Sequence, residues 1–213
     1  MRRMLVLLAP LAPLLLGAEH AHEHHPPRDL KAYVAELEED QRATWQQPER
    51  VIATPGLRPG MVVADLGAGS GYFTRRFATA VGKEGRVIAL DTEQGMLDEL
   101  QRRAAGRDNI ETRLVAPDDP GLAPASVDLV FICNTGHHLP DRVRYYATLR
   151  RALRPGGRLV LVDFYRRKLP IGPPVERKLS RRQTETEAAA AGFRLRASHG
   201  FLPYQYFLEF VPR

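Results

Sequence analysis

The chain has 213 residues, with 31 Lys and Arg against 25 Asp and Glu and a formal net charge of +6. That length suits one α/β domain, and 44% hydrophobic with 26% charged residues excludes a disordered chain. The single cysteine, Cys133, excludes an internal disulfide framework and any multi-cysteine zinc site.

Arg2 and Arg3 open the chain, Leu5 to Leu16 form an apolar run broken by Pro10 and Pro13, and Gly17 and Ala18 are small. Residues 1–18 therefore have the layout of a secretory signal, too short for a spanning helix, which needs about 20 apolar residues. The expected location is the periplasm or cell envelope, or the cytoplasm if the segment is an inefficient signal or the start site is misplaced. A His-rich tail follows over 19–28, with His20, His22, His24 and His25 beside Glu19 and Glu23. Imidazoles at that density can hold zinc, copper or nickel, but Pro26 and Pro27 end the tract before any rigid element. It reads as a solvated tail, and no metal site is assigned.

From Asp29 the pattern turns helical. Leu30, Tyr33, Val34, Leu37 and Gln41 predict one helix ending before Pro48, within a helical extension over 29–56. From residue 57 strands and helices alternate. Strands are expected at 61–66 (MVVADL), 87–91 (VIALD), 112–116 (TRLVA), 127–133 (VDLVFIC) and 158–164 (RLVLVDF). Between them, helical faces are formed by Phe73, Phe77 and Val81, by Met96, Leu97, Leu100 and Ala104, and by Val143, Tyr146, Leu149 and Leu153. Residues 165–179 form a basic, proline-rich loop. Ser180 and Gln183 make a capping box for a helix at 181–191, with Gly192 as its stop. FRLRASHGFL and YQYFLEFVP, separated by Pro203, are expected as a closing antiparallel pair. The alternation means one parallel sheet wound with right-handed crossovers, a single domain over 57–213.

The first strand runs into Asp65-Leu-Gly67-Ala-Gly69-Ser-Gly71. In an open α/β sheet, ligands sit beyond the carboxyl ends of the strands, and glycines there let the backbone approach them. A dinucleotide fingerprint requires glycine where Tyr72 stands, which disfavours a nucleotide-dependent oxidoreductase. An acid inside the strand repels a pyrophosphate and suits a ligand carrying an amino group. Asp91 ends the next strand, where a carboxylate can take both hydroxyls of a ribose. It could also only cap the helix that follows, but both acids at these offsets from the glycine turn favour a ligand site.

These segments resemble a known family. VVADLGAGSGYFT is similar to the first motif of class I S-adenosylmethionine-dependent methyltransferases, VIALDTEQGML to their second-strand segment, and LRRALRPGGRLVLVDF to their fifth-strand motif. The likeness covers about residues 57–211. It implies a three-layer Rossmann-like α/β fold, a mostly parallel seven-stranded sheet with an antiparallel last strand, preceded by the N-terminal helical extension. It implies S-adenosyl-L-methionine as cofactor and assigns roles by position. Gly67, Gly69 and Gly71 would pass under the methionine and ribose, Asp65 would hold the amino group, Asp91 the ribose hydroxyls, and Met96 would lie near the adenine. Asp118 and Asp119 compete to meet the adenine amine. Asn134 belongs to the segment that lies beside the sulfonium in this fold.

That segment continues as Thr135-Gly136-His137-His138-Leu139-Pro140-Asp141 and resembles the variant of the family with a His pair. His137 and His138 are the catalytic candidates, because an imidazole titrating near neutral pH can deprotonate an oxygen or nitrogen acceptor. The alternative is that one His only orders the loop. Tyr33 and Trp45 either cover the site or pack the helix, with packing preferred, and Tyr204 and Tyr206 read as core. Tyr165, Arg166, Arg167 and Lys168 follow Asp163 and form either an anion-attracting lid or a solvated loop. One cysteine cannot supply the thiolates that arsenite methylation needs in related enzymes, and the Asn/Asp-Pro-Pro-aromatic motif of amino-methylating DNA enzymes is absent. A small-molecule or lipid-like acceptor is the remaining expectation, with no nucleic acid partner. The basic excess around 165–182 points to an anionic acceptor or a membrane surface near the site. The competing reading is a non-catalytic binding protein of the cell envelope that keeps this fold.

Overall fold

The computed structural model describes residues 29–213, so the signal-like segment and the His tract lie outside the described residues. Seven strands form one sheet in the order β3-β2-β1-β4-β5-β7-β6. They are β1 (Val62–Leu66), β2 (Arg86–Asp91), β3 (Ile110–Leu114), β4 (Val127–Cys133), β5 (Leu153–Phe164), β6 (Phe193–His199) and β7 (Gln205–Pro212). Pairings among β1 to β5 are parallel, and β7 runs antiparallel to both β5 and β6. With helices on both faces this is a three-layer α/β arrangement, mostly parallel, with β7 reversed.

The central strands are apolar on both faces because helices cover both. All five residues of β1 are buried, as a strand in the middle of a parallel sheet requires. On one side α3 (Pro48–Ala53), α4 (Thr74–Val81) and α5 (Gln94–Arg103) pack on Val63, Val87, Ala89, Leu129, Phe131 and Val160. Phe131 meets Phe73 and Phe77 edge-on at 5.0 and 4.9 Å between ring centroids. On the other side α6 (Arg142–Ala152) and α7 (Arg181–Ala190) pack on Ala64, Leu66, Val130, Leu161 and Leu208. The β3–β4 connection, 115–126, contains no helix.

Three local expectations need correction. The helix expected from Asp29 to Pro48 is broken in two, α1 (Leu30–Leu37) and α2 (Arg42–Gln46), and Pro48 starts α3 instead of ending a helix. Proline suits that position, since the first helical turn needs no N–H from it. The third strand lies at 110–114 instead of 112–116. It is an edge strand whose polar residues, Glu111 and Arg113, form an ion pair, so apolar content marks it poorly. The capping box at α7 is only half made. Ser180 Oγ accepts from the Gln183 N–H at 3.1 Å, but the Gln183 side chain turns forward to Glu187.

Candidate active site

The strand order reverses between β1 and β4, where a cleft opens beyond their carboxyl ends. A cavity of about 160 Å³ occupies that position, bounded by the turn after β1, the end of β2, the loop after β4 and the N-terminal helices. Asp65, Gly67, Gly69, Asp91, Met96 and Asn134 all line it.

The turn after β1 is shaped by close approaches. Gly67 has φ +71°, and a Cβ there would stand 2.1 Å from Thr135 Oγ1, so this glycine lets the β1 turn and the β4 loop touch. Gly71 does not line the cavity. A Cβ on it would meet Leu100 Cγ at 2.7 Å, which makes it a packing position against α5.

Asp65 is buried, and its Oδ2 accepts from Thr74 Oγ1 at 2.6 Å. Burial pushes its carboxyl up to about 7, against the pull of the Thr74 hydrogen bond; Asp91 adds to the rise and Arg42 opposes it. Asp91 accepts from the Gly69 N–H at 2.8 Å through one oxygen and from the Glu93 N–H at 3.0 Å through the other. It thus ties the glycine turn to the start of α5 while facing the cavity, combining the turn-capping and the ligand-facing roles.

The catalytic candidates separate. Gly136–His138 form one 3-10 turn, and only His138 lines the cavity. The His137 side chain is 6% exposed, with Nδ1 3.1 Å from Asp163 Oδ2 and its ring centroid 4.2 Å from that of His138. Asp118 and Asp119 are both exposed and off the cavity wall, where Val115 and Pro117 stand instead. Tyr33 lines the cavity, whereas Trp45 packs on Phe164 and Tyr204 with centroids 5.8 and 6.4 Å away. Tyr206 is buried, with its hydroxyl 2.9 Å from Thr184 Oγ1.

Sequence reasoning missed a second group of residues. Arg42 on α2 lies over the Tyr72 ring at 4.0 Å and lines the cavity with Asp65. Burial lowers its pKa from the ordinary arginine range, and neighbouring groups, Cys133 foremost, pull it back up. Arg42 Nε donates to Gln46 Oε1 at 2.5 Å, Gln46 Nε2 donates to Gln205 Oε1 at 3.0 Å, and Gln205 Nε2 donates to Asn134 Oδ1 at 2.5 Å. Gln46 and Gln205 are both fully buried. This chain of amides fastens the N-terminal cover to β7 and to the β4 loop. No local pattern marks it, because its members are 159 and 71 residues apart in sequence. Replacing Gln205 by Leu strands the Gln46 and Asn134 amides together, so a stability loss of about 2 kcal/mol is expected. Chemical denaturation of Gln205→Leu and Gln205→Glu beside the parent checks it; a loss under 0.5 kcal/mol, as an order-of-magnitude threshold, would show the amides find water instead.

S-Adenosylmethionine fits these donors. Asp65 would suit an ammonium, Arg42 a carboxylate and Asp91 a ribose diol, while Met96, Val115 and Pro117 line the same cavity and would offer an apolar wall for adenine. The Tyr72 hydroxyl is buried with no hydrogen-bond partner among the described residues, and Tyr72 lines the same cavity. A polar ligand there would satisfy it.

Comparison with known proteins agrees with this geometry. A family model described as "Methyltransferase domain" matches residues 63–157. The structure of a SAM dependent methyltransferase from Aquifex aeolicus superposes with a TM-score of 0.80 at 25% identity, covering 85% of this chain and 97% of that one. The ubiquinone/menaquinone biosynthesis C-methyltransferase UbiE of Hydrogenovibrio crunogenus is 29% identical over 60% of this chain and 50% of its own length. An arsenite methyltransferase of Halobacterium salinarum is 33% identical over 52% of this chain and 29% of its own. The chain spans about half the length, or less, of these curated relatives. Family match, fold and the donor set around one cavity agree: residues 63–157 match a methyltransferase domain, and the chain has the fold and a cavity suited to S-adenosylmethionine that class I S-adenosylmethionine-dependent methyltransferases share.

Proposed function

We propose that the protein transfers the methyl group of S-adenosylmethionine to a small-molecule or lipid-like acceptor, with His138 as the residue that takes the acceptor's proton. The observation that carries this reading is that Asp65, Asp91, Arg42 and His138 all line one cavity. The sulfonium supplies an electrophilic methyl group. The protein's own work is to align the acceptor in line with it and to accept a proton from an O–H or N–H as the new bond forms. His137, clamped by Asp163 and packed against His138 with the rings tilted by 40°, is a positioning residue for that imidazole.

Two relatives point to acceptors by name, one a C-methyltransferase of ubiquinone/menaquinone biosynthesis and one an arsenite methyltransferase. An arsenic acceptor is disfavoured for this chain, because Cys133 is alone and burial pushes its thiol up to about 12, out of reach of a thiolate at neutral pH. A hydroxylated aromatic or lipid-like acceptor remains the class this reading favours.

Calorimetry with S-adenosylmethionine, S-adenosylhomocysteine and NAD is the first test, and a methyl-transfer screen with labelled cofactor against metabolite and lipid extracts is the second. Binding of both adenosyl ligands and not NAD is expected; no adenosyl ligand binding would end the proposal. Once an acceptor is found, His138→Ala should lower kcat about a hundredfold with cofactor affinity unchanged. Unchanged turnover in that variant would remove His138 from the chemistry.

A further inference from the structure

The charge of this chain is divided between the two halves of the sheet. Residues 29–141, which build the N-terminal cover and β3-β2-β1-β4, hold 12 Lys and Arg against 18 Asp and Glu. Residues 142–213, which build α6, α7 and β5-β7-β6, hold 16 Lys and Arg against 5 Asp and Glu. Part of the basic half lies beyond the carboxyl end of β5, at the same end of the sheet as the cavity. Arg166, Arg167 and Lys168 follow β5, Arg177 lies in the loop before α7, and Arg181 and Arg182 start α7; all six are exposed.

The two basic runs are held side by side. Lys178, itself buried, donates from Nζ to the Arg167 carbonyl at 3.0 Å and lies 5.7 Å from the Phe164 ring centroid. Gly172 sits against the same ring, where a Cβ would stand 2.8 Å from Phe164. The loop is thereby folded down on Phe164, which brings 166–168 and 177–182 together. Between the basic runs the loop carries Leu169, Ile171 and Val175, each partly exposed. Of the six cations only Arg181 has a carboxylate partner among the described residues, Glu185.

We propose that this face docks peripherally on an anionic lipid bilayer, which places the cavity mouth against the membrane. Cations alternating with aliphatic side chains are what an anionic headgroup layer above an apolar interior selects. A single-stranded nucleic acid would call for stacked aromatic platforms, and the one ring in the loop, Tyr165, is already covered by Arg167 at 5.2 Å. Among the described residues no helix is long and apolar enough to cross a membrane, so the contact is superficial. The purpose of docking rests on the lipid-like acceptor proposed above, but the docking is measurable without any methyl transfer, so the two can fail separately.

The test is sedimentation of the full chain with phosphatidylglycerol/phosphatidylcholine vesicles and with phosphatidylcholine vesicles alone. The ratio of the two partition coefficients is read, since an apolar stretch such as residues 5–16 raises both alike. A ratio well above one that collapses in high salt is expected. The combined Arg166→Glu, Arg167→Glu and Lys168→Glu variant should lower it on the order of a hundredfold. The combined Arg150→Glu, Arg151→Glu and Arg194→Glu variant alters cations at the opposite end and should leave it within about twofold. Thermal melts show that both variants fold, and Arg166→Gln, Arg167→Gln and Lys168→Gln replaces the first set if it does not. Equal binding to both vesicles, an equal loss from the distant set, or tighter binding to single-stranded RNA than to anionic vesicles would each overturn the proposal.

Discussion

Gly67→Ala should unfold the chain at a temperature roughly 10 °C lower than the parent and abolish binding of S-adenosylhomocysteine. Two costs combine. The φ of +71° is open to glycine but charges alanine about 1 kcal/mol of backbone strain. The added methyl also lands 2.1 Å from Thr135 Oγ1, 2.5 Å from its Cγ2 and 2.8 Å from its Cβ. A threonine is short and β-branched, so no rotamer removes all three contacts, and overpacking of this kind costs about 1–3 kcal/mol. The backbone has little room to yield, since the Gly67 and Ala68 N–H groups both donate to the Leu90 carbonyl, at 2.8 and 3.1 Å. Gly106→Ala isolates the first cost, having φ +82° with nothing within 4 Å of the added Cβ. It should lose only about 1 kcal/mol. In the double variant Gly67→Ala/Thr135→Gly the clash is relieved and the strain remains, so the cycle should show a coupling of roughly 1–2 kcal/mol. If Gly67→Ala melts with Gly106→Ala, the β1 turn and the β4 loop are not in the contact described.

What could be read from the sequence was what neighbouring residues decide. β4 runs over 127–133 as its apolar content implies, because a strand buried on both faces needs little else to mark it. Asp65, Gly67, Gly69 and Asp91 face one cavity because two strand ends and one tight turn place them there, and strand ends and turns have local chemistry. Gly71 was indistinguishable from its neighbours, since only the approach of Leu100 from α5 shows what its missing side chain is for. His137 and His138 are adjacent and identical, and the turn of one 3-10 helix sends one against Asp163 and the other to the cavity wall. Arg42 and Gln46 lie on a five-residue helix whose amphipathic signal is too short to read, and Gln46 is held by Gln205 of β7, which in turn holds Asn134 of the β4 loop. Pro48 shows the converse limit: a proline can begin a helix as well as end one, and the residues around it do not say which.

The second large effect is a proton linkage at Asp65. Its carboxyl stands at about 7 in the folded protein, with burial as the main cause, against an unfolded value of about 3.9. A carboxyl whose folded pKa is raised favours the fold in its protonated form. That contribution is fully present below pH 4, and it is lost as the pH rises through about 7. Over this window the ligand-free protein should lose on the order of 4 kcal/mol from this group, an upper figure because water entry and Arg42 relieve part of it. An ammonium beside Asp65 reverses the preference and requires the carboxylate. The affinity for S-adenosylhomocysteine should therefore rise by up to tenfold per unit from pH 5 to about 7 and level off above, with one proton released per ligand bound in the rising limb. Calorimetry in buffers of different ionisation enthalpy reads that proton directly. Asp65→Asn removes the carboxyl and keeps the size. Its stability should be flat across the same window from this site, and at pH 8 its affinity should fall on the order of 10² to 10³-fold while losing its pH dependence. Affinity of the parent that stays constant between pH 5 and 8 would show that Asp65 is already ionised without ligand, or that it does not meet the amino group.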